Sequence, residues 1–171
     1  MLLCLYKKLE RTEKTLLQLS YEKDAVLIEA VNNNSYDDAL INNWGKEDII
    51  IIEHDIIYTK EQLHEIRNCK HFLCTFNYYL YPITTKLKEP VLAHRQKINN
   101  AFVWNNEMDA EANTVGFGMT KISREFQMKH KPNWEKGDWK NLDTRFSLWV
   151  MGLGYKFQIH KDIVEHNHKE Q

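Results

Sequence analysis

Asp48-Ile49-Ile50-Ile51-Ile52-Glu53-His54-Asp55 (DIIIIEHD, residues 48–55) is the stretch on which the fold turns. Four consecutive β-branched residues have no polar face. A strand of that kind is stable only when protein covers both sides of it, which is the environment of a parallel sheet. Acids follow at once, with Glu53 and Asp55 two positions apart and His54 between them. Ligands of open α/β sheets bind beyond the carboxyl ends of the strands. Two carboxylates placed there can reach one divalent cation if the backbone turns, and hard cations such as Mg²⁺ or Mn²⁺ prefer oxygen ligands. The bland alternative is a pair of polar residues closing a strand and capping the next helix, but Thr59 already supplies that cap.

The sequence before this stretch alternates. Met1 to Tyr6 (MLLCLY) reads as a buried strand, with Lys7 and Lys8 after it and no cleavage site of the kind a signal peptide needs. Leu9, Leu16 and Leu19 share a helical face, so Glu10 to Ser20 is predicted as a helix. Ala25 to Val31 is a second strand. After the turn cluster Asn32-Asn33-Asn34, Ser35 with Asp38 marks a helix start. Gly45, just past Trp44, marks its end. Strand, helix, strand, helix, strand is two overlapping βαβ units, which build a parallel sheet.

Beyond Asp55 the pattern is looser. Thr59-x-x-Gln62 fits a capping box and opens a helix with Leu63 and Ile66 on one face. His71 to Leu80 reads as a strand, and Pro82 to Asn113 as a long irregular loop. Val115 to Ile122 reads as a glycine-punctuated strand, with a short helix from Ser123. Phe146, Trp149, Val150 and Leu153 define a helix from Asp143 to Met151, ended by Gly152 and Gly154. Tyr155 to Ile159 is the last predicted strand, and His160 to His168 a histidine-rich tail.

Composition bounds the rest. The chain has 171 residues, enough for one core and too few for two ordinary domains. With 23 Lys and Arg against 24 Asp and Glu, it lacks the cationic excess of a nucleic-acid binder, and no nucleic-acid partner is expected. No segment is apolar over the length of a bilayer. Three cysteines, Cys4, Cys69 and Cys74, are too few and too odd for a disulfide framework, which fits a reducing, cytoplasmic setting. Cys69 and Cys74 have four residues between them and no second cysteine pair, so they carry no zinc motif. Trp104 and Trp139, in irregular segments, are candidates for stacking on a ring ligand.

Further polar residues stand where chemistry could use them. Asp143 opens the amphipathic helix and can be its cap or a general base. His166 and His168 follow the apolar pair Ile163-Val164, and imidazole suits Mn²⁺ or Zn²⁺. His160 precedes them as a strand-end candidate for the same pocket. There is no P-loop, no dinucleotide fingerprint, no HExxH and no GxSxG.

The order of these parts resembles a small GT-A-type glycosyltransferase, in particular the compact GT-A-like proteins of phages and archaeal viruses in which Glu-x-Asp replaces Asp-x-Asp. The parts are Ile49 to Ile56, Val115 to Ser123, Trp139 to Asp143, Gly154 to Phe157 and Val164 to His166. The resemblance implies an α/β, Rossmann-type, mostly parallel sheet with flanking helices in three layers, as one domain. Residues 1–58 would be the nucleotide-binding half and 59–171 the acceptor-side half. It implies a metal-dependent enzyme that moves a sugar from a nucleotide-sugar donor to an acceptor. Asp55 would be the direct ligand of Mn²⁺ or Mg²⁺, with Glu53 nearer the ribose or a metal-bound water. His166 would be the late metal ligand, with His168 its substitute. Asp143 would be the catalytic base, and Arg11 would lie near the nucleotide base. Glu53 departs from the family's usual aspartate by one methylene. So short a chain leaves acceptor recognition to Pro82 to Asn113, to the region near Asp143, or to a second subunit of a homo-oligomer. Two other readings use the same residues: a metal-dependent phosphodiesterase or nuclease, and a non-catalytic virion-associated protein that keeps the fold.

Overall fold

Four isoleucines in succession decide the layering, because a strand with no polar face has to sit inside. The computed structural model describes residues 1–6, 12–80, 91–104, 110–137 and 141–167. In chain order the elements are β1 (Leu2–Tyr6), α1 (Glu13–Ser20), β2 (Ala25–Glu29), α2 (Ser35–Asn43), β3 (Ile49–Ile52), β4 (Ile56–Ile57), α3 (Lys60–Asn68), β5 (Leu73–Asn77), β6 (Tyr79–Leu80), β7 (Val91–Leu92), β8 (Arg95–Ile98), β9 (Ala101–Trp104), β10 (Glu111–Ala112), β11 (Met119–Ile122), α4 (Arg124–Lys129), α5 (Leu142–Gly152), β12 (Phe157–Ile163) and β13 (Glu165–His166). Seven strands form one sheet in the order β10-β12-β5-β11-β3-β1-β2. β1, β2, β3, β5 and β12 run parallel, while β10 and β11 run against them.

β3 lies near the middle, between β1 and β11, and its four residues are all buried. Its side chains alternate between two cores. Ile49 and Ile51 join Leu3, Leu5, Leu73 and Ile122 under α2, α4 and α5, where Phe126, Phe146 and Val150 meet them. Ile50 and Ile52 join Leu2, Cys4, Cys74 and Phe76 under α1 and α3, where Leu19, Leu63 and Ile66 meet them. Each buried isoleucine contributes roughly 1.5–3 kcal/mol relative to exposure. The protein is thus a mixed α/β domain with helices on both faces of a mostly parallel sheet. No helix among the described residues is long and apolar enough to cross a membrane.

Local chemistry explains most boundaries. Thr59 and Gln62 form the expected capping box of α3. Gly45 has φ +79, which suits glycine just beyond a helix end. Asn34, not Ser35, is the cap residue of α2, and the Ser35 hydroxyl instead accepts from the Val31 and Asn32 amides. The structure revises the reading of four other segments. Residues 71–80 break at Tyr78 into β5 and β6. Only Met119–Ile122 of residues 115–122 is strand, and it runs antiparallel between β3 and β5. The last long strand extends to Ile163, so His160 lies within it and not in a tail. Residues 82–113 are not simply a loop. They contain the hairpin β8–β9, whose two turn residues Asn99 and Asn100 have φ 47 and 65. Asparagine tolerates that left-handed region, and two such residues make the tight turn a hairpin needs.

One buried charge ties α2 to α5 across the aromatic core. Asp37 is fully buried and accepts from Trp134 Nε1 at 2.6 Å and from Arg145 Nη2 at 3.1 Å. Removing one partner of a buried ion pair leaves the other uncompensated. Asp37→Ala should therefore cost about 3–5 kcal/mol in denaturant unfolding. A loss below 1 kcal/mol, the range of exposed pairs, would show that the Arg145 charge is not buried in effect.

Candidate functional site

Past Ile52 the backbone leaves the sheet in a tight turn. The Glu53 amide donates to Gly118 O at 2.8 Å and the Ile56 amide donates back to Glu53 O at 3.1 Å. This turn carries Glu53-His54-Asp55 and ends in β4. β4 pairs antiparallel with β13, placing His166 opposite Ile56 and Glu165 opposite Ile57. The Asn167 amide donates to Asp55 O at 2.7 Å. Two segments far apart in sequence are thereby laced together, and His166 Nε2 comes within 3.2 Å of Asp55 Oδ2.

The imidazole is oriented from its other side. His166 Nδ1 lies 3.2 Å from Tyr79 O. A carbonyl can only accept, so Nδ1 carries the proton and donates it. Nε2 then faces a carboxylate, and the contact is favourable only with a proton or a cation between them. The turn before β13 is held by α3. Gln62 Nε2 donates to Asp162 Oδ2 at 2.6 Å and to Ile163 O at 3.0 Å.

Glu53 and Asp143 lie within each other's electrostatic reach. Loss of water around Glu53 pushes its carboxyl well above the usual range, and the negative charges of Asp55 and Asp143 push it further. Burial also raises Asp143, against hydrogen bonding from Thr144 and the positive charge of Arg95. Asp143 does not cap α5. Asn141 occupies that position, and Asp143 Oδ1 accepts from the next amide, Thr144 N, at 2.6 Å.

Tyr78 closes the cleft floor and was not legible as a site residue. Its phenol is raised first by burial and then by Glu53, Asp143 and Asp55, so the ring lies within the field of all three acids. Its edge meets the His166 ring at a centroid distance of 5.1 Å. The ring fits only because residues 116 and 118 lack side chains. A Cβ on Gly116 would fall 2.0 Å from Tyr78 Oη, and one on Gly118 would fall 2.4 Å from Tyr78 Cε1. The two glycines read from the sequence as strand punctuation thus serve close approach.

Beside Tyr78 opens a cavity of about 200 Å³ whose lining includes Arg95, Phe102, Trp104, Gly116 and Asp143. Arg95 Cζ lies 4.0 Å over the Trp104 ring. Trp104, read as a stacking candidate, is therefore on the wall that holds Asp143. Arg11, His168 and Trp139 lie outside the described residues.

The donors that come together at the end of β3 are two. Asp55 and His166 offer an oxygen and a nitrogen at hydrogen-bond separation. Glu53 and Asp143 add negative charge but no third donor at ligand spacing. Among the described residues the group of three donors that are mutually close is elsewhere. Mg²⁺ and Mn²⁺ sites of one or two side chains completed by phosphate oxygens and water are common.

The crowded acids have a measurable consequence. The folded protein holds the Glu53 proton more tightly than the unfolded chain does. Stability from this group is therefore present in acid and lost as pH rises through its folded-state pKa. Glu53→Gln, which cannot ionise, should melt with the wild type in acid and above it at neutral pH. Thermal melts across that range check this, and an equal difference at every pH would remove the electrostatic account.

No protein-family model matches the chain, and no curated protein does. Among solved structures the chain is similar to the crystal structure of A197 from STIV. The two share a TM-score of 0.66 at 16% identity, over 98% of this chain and 85% of that one. At that identity the likeness speaks for the fold.

Proposed function

We propose that the protein is a metal-dependent glycosyltransferase of the GT-A type, taking a sugar from a nucleotide-sugar donor to an acceptor seated beside Asp143. The observation that carries this reading is the approach of His166 Nε2 to Asp55 Oδ2 at the carboxyl end of β3. Glu53 lies within the electrostatic reach of Asp55 and Asp143, the other acids that the resemblance selects.

Asp55 and His166 would hold a divalent cation, which would supply Lewis-acid neutralisation of the departing diphosphate. The chain's own groups do the rest. Asp143, raised by burial, is a stronger base than an exposed aspartate and accepts the proton of the attacking hydroxyl. Tyr78 covers the cleft floor and excludes water. Phe102 and Trp104 offer aromatic faces for the apolar side of a sugar ring, and Arg95 offers donors for its hydroxyls. The resemblance would assign Glu53 to the side of the donor ribose.

Two measurements test this. A panel of nucleoside diphosphates should raise the melting temperature only when Mn²⁺ or Mg²⁺ is present. At a hundredfold excess over Kd the stabilisation is about 2.7 kcal/mol, or roughly 5–10 °C for a chain of this size. Asp55→Ala should abolish the shift, and an undiminished shift in that variant would exclude the site. Asp143→Asn should keep the metal-linked shift while turnover of a responding nucleotide sugar falls about 10²–10⁴-fold. Cleavage of nucleic acid or a nucleotide diester with Mn²⁺ and no sugar donor would instead mark a phosphodiesterase. Absence of any metal-linked ligand effect would mark a protein that keeps the fold without the activity.

A further inference from the structure

A second cluster lies on the α1/α3 side of the sheet, made of groups that the proposed transfer does not use. Cys69 is the C-cap residue of α3, Cys74 lies in β5, and His160 lies in the neighbouring β12. One ligand atom from each lies within 4.8 Å of the other two. Sequence spacing gave no zinc motif, because it shows two sulfurs and cannot show the nitrogen that the sheet adds.

Each of the three is held in place independently. Cys74 is fully buried, and its backbone is fixed on both sides, opposite Lys121 of β11 and Gln158 of β12. Cys69 is pinned through its backbone, whose carbonyl accepts from Lys121 Nζ at 3.0 Å. The same ammonium binds Arg67 O at 3.0 Å and Asp48 at 2.9 Å. The His160 ring stacks on Phe76 at 4.7 Å, and its Nδ1 lies 2.6 Å from Glu65 Oε1. With Nδ1 engaged by a carboxylate, Nε2 remains for the sulfurs. It is buried and has no conventional hydrogen-bond partner. A histidine whose far nitrogen donates to a carboxylate is the usual arrangement of a metal-bound imidazole, because the carboxylate fixes the ring and raises its basicity.

We infer that Cys69, Cys74 and His160 form a binding site for a thiophilic divalent cation of the zinc class, with Glu65 orienting the histidine. Two sulfurs and one imidazole suit Zn²⁺ and not the hard cations of the oxygen site. Tetrahedral ligation at about 2.0–2.3 Å needs donors a little under 4 Å apart, so the site closes by less than about 1 Å as the ion enters. The thiols give up their protons on binding. Cys69 and His160 are only partly buried, which leaves solvent the fourth position. The ion ties the end of α3 to β5 and β12.

The test uses the full chain, purified with its thiols reduced and titrated with Co²⁺ and then Zn²⁺. One equivalent of Co²⁺ per chain should bind with a thiolate-to-cobalt charge-transfer band, and Zn²⁺ should displace it. Cys69→Ser and His160→Gln, both at partly exposed positions, should each lose the band or weaken binding by at least tenfold. Asp55→Asn and Cys4→Ala should retain it, which separates this site from the oxygen site and from the remaining thiol. Mn²⁺ should not displace Co²⁺. Failure of the reduced wild type to give the band overturns the proposal, whatever the variants do. So does Co²⁺ binding in Cys69→Ser that is as tight as in the wild type.

Discussion

The all-isoleucine strand β3 is the constraint from which the rest of the architecture follows. A strand without a polar face requires a helical layer on each side, and both cores are built on its alternate side chains. Its flanks then differ in direction, with parallel β1 on one side and antiparallel β11 on the other. Because β11 enters from the opposite end, the segment before it, Val115 to Gly118, meets the carboxyl end of β3. Gly118 O accepts the Glu53 amide there. The strand that fixes the layers thus also fixes where the acidic turn emerges and which glycines line its other wall.

At that end the electrostatics are unfavourable by construction. Loss of water raises the Glu53 carboxyl, and the charges of Asp55 and Asp143 raise it further. In a structural site such charges are paired with cations, as Asp37 is with Arg145. Asp143 feels Arg95 and Arg145 as positive charges, while the Arg95 guanidinium lies against Trp104. Like charges held together by a rigid turn and a rigid helix are destabilising unless a proton or cation joins them. Asp37 is thus held by an arginine and a tryptophan, whereas Glu53 is raised by the acids beside it.

How much of this was legible in the sequence depended on how local each signal was. The βαβαβ half, the capping box at Thr59 and the acids after β3 are written in neighbouring residues, and the structure places them as read. The β8–β9 hairpin was readable too, since Asn99-Asn100 between two short runs is a tight-turn signal, but a long polar stretch obscured it. Tyr78 and Asp37 carry no local mark. One is defined by two glycines forty residues later in the chain, and the other by a tryptophan and an arginine on distant elements. The Cys69–Cys74–His160 cluster failed for the same reason, because strand pairing, not spacing, supplies its third member.

Helix α3 and strand β12 link the two clusters mechanically. At the start of α3, Gln62 holds Asp162 and Ile163, and so fixes the turn that delivers His166 to Asp55. At its other end Cys69 faces His160, which lies three residues before Ile163 on the same strand. The register of β12 against β5 shifts between His160 and Ile163. That irregularity separates His160, on the sulfur side in β12, from β13, which carries His166 to Asp55. The proposed oxygen–nitrogen pair and the proposed sulfur-rich triple would favour different cations by ligand softness, and α3 contacts the segments that carry both histidines.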